Sequence, residues 1–154
     1  MANEVKKMGF VKYILLIIVP IVAGMIMSGG VGQFIDPPSA FIVIVPTIGT
    51  LLVAYKGAFL SSFTAIWKER RDSVFGDKDL LTAIDFWGTV GTCAVGYGCL
   101  GFFIGLIAML GSLDNPSMLG PFLAVGLIAV MYGLIAKYLV AEPIIALLKR
   151  KSSS

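Results

Sequence analysis

Few side chains in this chain can do chemistry, and those that can lie in or beside long apolar runs. Thr89, Thr92, Tyr97 and Tyr132 are the main hydroxyl groups in or near the last two runs. On a conduction path, such hydroxyls offer oxygen to a passing ion. More often they bond to their own helix backbone or sit at an interface. Lys137 and Glu142 are ionisable residues near the end of the last run, five apart and therefore not an ideal helical ion pair. Lysine can snorkel towards water; a carboxylate snorkels poorly, so Glu142 is the more suggestive of the two. Asp85 falls where a helix dipole favours a carboxylate, and Asp36 and Asp114 belong to turns. No acidic residue occupies the middle of any apolar run, so this chain alone is no carboxylate-based proton carrier; if it conducts, a partner carries the titrating group. The chain lacks histidine, and Cys93 and Cys99 lie six apart, on different faces of a helix. There is no nucleophile–base pair, phosphate loop or acidic dyad, so the sequence predicts no enzyme, no cofactor and no metal site.

The elements that must position these groups are membrane helices. Of 154 residues, 58% are hydrophobic and only 14% charged, far from the balance of a soluble domain. The sequence predicts an all-α integral membrane protein, residues 1–154 forming one four-helix transmembrane domain. The spans fall at about 13–28, 39–66, 82–112 and 120–148, with a short cytoplasmic loop at 68–79. Little length remains for a soluble domain. Lys6, Lys7 and Lys12 precede the first run, Lys68, Arg70, Arg71 and Lys78 separate the second from the third, and Lys149, Arg150 and Lys151 follow the fourth. The other two connections contain no Lys or Arg, so the positive-inside rule places both termini and the middle loop in the cytoplasm. The basic clusters are short and flank spans, which argues against nucleic acid as a partner. The first run is read as a retained helix, bent at Pro20. Ser39 is read as the N-cap of the second helix, Leu80 or Thr82 as the start of a long third, and Gly120-Pro121 as the start of a long fourth. Pro143 should kink that last helix.

Small residues recur along the last two spans. Gly91, Ala94, Gly98, Gly101, Gly105 and Ala108 step by three and four, and so do Gly126, Ala129, Gly133 and Ala136. That spacing collects them on one face of each helix, where backbones can approach closely in a bilayer. Packing of the two helices on each other and packing against further helices remain equal alternatives for any one glycine.

Two stretches carry a family resemblance. The first is Phe34-Ile35-Asp36-Pro37-Pro38-Ser39, followed by Ala40–Val45 and Thr47-Ile48-Gly49. The second runs from Gly105-Leu106-Ile107-Ala108-Met109-Leu110 through Asp114-Asn115-Pro116, Gly120-Pro121 and Tyr132-Gly133 to Pro143. Together they resemble the MotA branch of the MotA/TolQ/ExbB family, ring-forming subunits of ion-driven membrane motors. The resemblance implies a homopentamer around a dimer of a single-span partner resembling MotB, TolR or ExbD. That partner supplies the ion-binding aspartate, and ion flow past it turns the ring. It also implies a bacterial inner membrane location, with lipid as the surrounding partner.

The sequence departs from that pattern in informative places. Only residues 68–79 stand where stators carry a large cytoplasmic insertion, leaving Arg70, Arg71 and Glu142 as cytoplasmic coupling candidates. Val95 replaces a proline common in the family, and Val45-Pro46 replaces Gly-Gly. Phe102, Ala129 and Val130 replace threonines of sodium-type members. The lost hydroxyls favour protons over sodium, which wants oxygen ligands. The residues expected to face the ion pathway or partner are the small ones, Gly98, Gly101, Gly105, Ala129 and Gly133. With them stand Phe102, Val130, Thr92, Tyr97 and Tyr132. The rival readings are a non-conducting structural ring that holds a single-span partner, and an exporter of small cations. The exporter would need a carboxylate within the membrane, and none is present.

Overall fold

The computed structural model describes residues 2–57, 59 and 77–152. Among the described residues all regular structure is helical. Arg70, Arg71 and most of the expected loop at 68–79 lie outside the described residues, as does the end of the second expected span.

Residues 1–36 and 37–154 form two units. In the first, α1 (Ala2–Met27) is followed by a 3-10 turn (Val31–Phe34). The helix ends where Gly29 and Gly30 adopt φ of 119° and 106°. These values favour glycine, and the paired bonds Gly30 N–H to Met25 O and Gly29 N–H to Ile26 O satisfy the last carbonyls. The apolar part of α1, Leu15–Met27, is shorter than the other spans.

The second unit holds α2 (Pro37–Ala54), α3 (Asp77–Leu110), α4 (Pro116–Ile135), a π-helical turn (Ala136–Ala141) and α5 (Glu142–Ser152). Among the described residues, three segments are long and apolar enough to cross a membrane: Pro37–Ala54, Leu80–Leu110 and Pro116–Lys149. At 1.5 Å per residue, α3 is about 50 Å long, well beyond a hydrocarbon core of about 30 Å.

Prolines shift the helix starts from their expected places. Pro37 and Pro38 fill the first turn of α2, where their missing N–H groups cost nothing, so Ser39 is not the N-cap. It lies wholly buried within the helix, its Oγ donating to Val125 O of α4 at 2.9 Å. Likewise Pro116 opens α4 with Asn115 as N-cap, four residues before the expected Gly120. The turn between α3 and α4 closes through Ser112 N–H to Met109 O and Asn115 N–H to Ser112 O.

Two buried clusters hold the second unit together. Leu51, Ala83, Phe86, Trp87, Ala141 and Leu148 form one, where Phe86 meets Tyr55, Phe59 and Trp87 edge-on at 5.2–5.7 Å. Val43, Ala94 and Ala129 form the other, with Tyr132 and Ala136 against them.

Candidate functional site

The small-residue face of α3 is sealed against that of α4. A Cβ added at Gly133 would lie 2.5 Å from Ala94 O, and one at Gly105 would lie 2.7 Å from Phe122 O. At Gly98 the nearest atom is Ala129 O at 2.8 Å; at Gly101 it is Ala129 Cβ at 2.6 Å. Gly126 opposes Phe102, whose carbonyl oxygen is 3.1 Å from the same kind of added atom. Backbone thus meets backbone along an antiparallel hairpin, which only glycine permits at this separation. The structure therefore places Gly98, Gly101, Gly105, Ala129 and Gly133 inside the chain. No further helix can occupy the groove they already fill.

Phe102 and Val130 are half-buried beside the seam. By the 100° step of an α-helix they lie on its flank turned away from α2. Thr92 is exposed, and its Oγ1 donates to Gly88 O at 3.0 Å in its own helix. Tyr97 instead turns to α2, its hydroxyl 2.7 Å from Thr50 Oγ1. Tyr132 packs against the cluster of Val43, Ala94 and Ala129. The ten residues expected on one path are thus divided among the seam, its flank, the α2 interface and, for Thr92, the exposed back of α3.

Sequence reasoning missed the polar groups joining α2 to α3. Tyr55, just past the end of α2, donates to Asp85 Oδ2 at 3.1 Å and sits 2.9 Å from Thr89 Oγ1. Burial pushes the Tyr55 phenol above its ordinary range, the Thr89 bond opposes this, and the Asp85 carboxylate adds to the rise. Tyr55 therefore stays a neutral donor, and Asp85 is more than a helix-dipole residue. Pairing across helices leaves no mark in the periodicity of either helix alone.

At the C-terminal end of α4, the π turn replaces regular winding just before Pro143. Glu142 N–H bonds to Lys137 O, five residues back. Pro143 itself is buried and has no N–H for the carbonyl of Leu139. The Lys137 stem covers Gly91, with Cγ 3.1 Å from an added Cβ there, and its Nζ stands 5.4 Å from the Tyr138 ring centroid. Glu142 is exposed. Among the described residues, no three His, Cys, Asp or Glu side chains converge as metal ligands.

Apolar spans and a close-packed hairpin define a multi-pass helical membrane protein. A model of the MotA/TolQ/ExbB proton channel family matches residues 72–154, more than half of the sequence. The chain belongs to that family. It is 38% identical over 74 residues to Motility protein A of Aquifex aeolicus (strain VF5), covering 48% of this chain and 29% of that one. It is 32% identical over 75 residues to Chemotaxis protein PomA of Vibrio alginolyticus, covering 49% of this chain and 30% of the relative. In both, the match spans less than a third of the relative's length. A structure of the flagellar MotAB stator complex from Bacillus subtilis contains a chain of the same fold. The TM-score is 0.74 at 21% identity, over 91% of this chain and 80% of that one.

Proposed function

We propose that this chain is the ring-forming subunit of a proton-driven membrane motor. In this reading it is a single four-helix transmembrane domain in a bacterial inner membrane, with both termini cytoplasmic. Five copies surround a dimer of a MotB-like single-span protein, whose aspartate carries the ion, and ion flow past it turns the ring. The observation that carries this reading is the sealed hairpin in a chain of this family. Helices α3 and α4 act as one stiff two-helix wall, while only 17–22% of each spanning window is buried within the chain. The remaining surface is available to neighbouring copies, a partner and lipid.

The flank carrying Phe102 and Val130 supports a second reading, a ring that holds its partner without conducting. Apolar side chains at those two positions give a cation neither an oxygen ligand nor a proton acceptor. Proton flux into vesicles containing the complex separates the two readings. Conduction that disappears when the partner's aspartate becomes asparagine supports the motor. Equal flux with either partner, or none with the native one, refutes it. A monomer that copurifies with no single-span protein refutes both.

A further inference from the structure

Helix α2 contains a proline at its midpoint, Pro46. Proline has no N–H for the carbonyl of Ile42, so the helix can bend there at little cost. The two halves of α2 are fastened differently. The outer half is pinned to α4 by Ser39 Oγ on Val125 O. The inner half is pinned to α3, first by Thr50 with Tyr97 and then by Tyr55 with Asp85 and Thr89.

The Thr50–Tyr97 contact has a fixed direction. Thr50 Oγ1 lies 2.9 Å from Pro46 O and 2.7 Å from the Tyr97 hydroxyl. Each hydroxyl has one hydrogen, and both are used only if Tyr97 donates to Thr50 while Thr50 donates to Pro46 O. The chain Tyr97, Thr50, Pro46 therefore runs from the rigid hairpin to the carbonyl of the proline itself.

We propose that Tyr97 is a latch on a hinge at Pro46, a positioning residue that fixes the bend of α2 relative to the sealed hairpin. Breaking this hydroxyl bond loosens α2 just after Pro46, while Tyr55 and the buried Leu51 still tie its end to α3. The device does not depend on whether the assembled ring conducts.

Hydrogen–deuterium exchange on the full chain in lipid nanodiscs tests the latch. Tyr97→Phe removes one oxygen, and Thr50→Val removes its acceptor. Each should raise exchange of the amides at 47–54 about threefold, the typical worth of one interhelical bond in a membrane. The double variant should match Thr50→Val, because once the Thr50 hydroxyl is gone Tyr97→Phe has no bond to α2 left to remove. Thr50→Ser, which keeps the hydroxyl, should retain native protection. Unchanged exchange in Tyr97→Phe overturns the latch. So does a double variant showing the product of the single effects, or a rise spread equally over α3 and α4.

Discussion

Replacing Gly133 with alanine should damage this protein far more than the same change at Gly96, although both glycines lie in apolar spans. The new Cβ at position 133 would be 2.5 Å from Ala94 O, 3.0 Å from Val95 Cα and 3.1 Å from Ala94 C. All three are backbone atoms and cannot rotate away. Restoring ordinary contact requires the helices to part by roughly 0.9 Å, and a gap of that size forfeits about a quarter to a half of each contact well along the seam. Overpacking of this kind costs about 1–3 kcal/mol. Lipid gives no hydrophobic compensation, and alanine's better helix propensity returns at most about 1 kcal/mol. Gly96 has nothing within 4 Å of an added Cβ, so only the propensity gain remains there. The two variants should differ by about 1–3 kcal/mol in unfolding free energy, read as a shift of the sodium dodecyl sulfate midpoint in mixed micelles. Gly101→Ala supplies an internal control, because its obstacle is Ala129 Cβ at 2.6 Å. Ala129→Gly should partly rescue Gly101→Ala and leave Gly133→Ala unrescued. If Gly133→Ala unfolds at the same midpoint as Gly96→Ala, the seam is not a backbone contact and the reasoning fails.

Further outcomes follow from other contacts. Ser39→Ala removes the bond to Val125 O and should lower stability by about 0.6–1.5 kcal/mol in the same titration; Ser39→Thr, which keeps the hydroxyl, tests whether the loss is the bond or the volume. The raised pKa of Tyr55 makes a contribution fully present below pH 10.0, its ordinary value, and lost as pH rises through the folded-state value. Alkaline melting curves of Tyr55→Phe should therefore fall less steeply above pH 10.0 than those of the native chain. Phe102→Thr and Val130→Thr place hydroxyls on the seam's flank. In reconstituted complexes they should raise ion flux if that flank lines the path, and leave it unchanged if another surface does.

Much of the fold was legible because membrane helices announce themselves through length, apolarity and small-residue spacing. Gly98, Gly101, Gly105 and Gly133 were readable as packing positions, since their three- and four-residue steps place them on one face. What they pack against was not readable, because the same stripe serves a neighbour in the chain or in another chain equally well. Ser39 misled because a serine after two prolines has the chemistry of a cap. The prolines had already started the helix, which freed its hydroxyl for α4. Tyr55 with Asp85 and Tyr97 with Thr50 were invisible for a different reason: each pair depends on the relative rotation of two helices. The identity of the relatives rested on ordered fragments such as Asp114-Asn115-Pro116, which no single periodicity contains.

The π turn keeps the fourth helix in phase with the third. Among the buried positions along this rod, Gly126, Gly133, Ala141 and Leu148 follow one another in steps of seven, eight and seven. A straight α-helix would turn the position after an eight-residue step by roughly 80° from the line of its predecessor. The wider winding at Ala136–Ala141 absorbs the extra residue, so Ala141 and Leu148 still meet the buried cluster on α3. The chain thus carries a one-residue register error in its sequence and a local correction in its backbone. A single rod of helix can therefore follow α3 from the turn at 111–115 back to the start of α3.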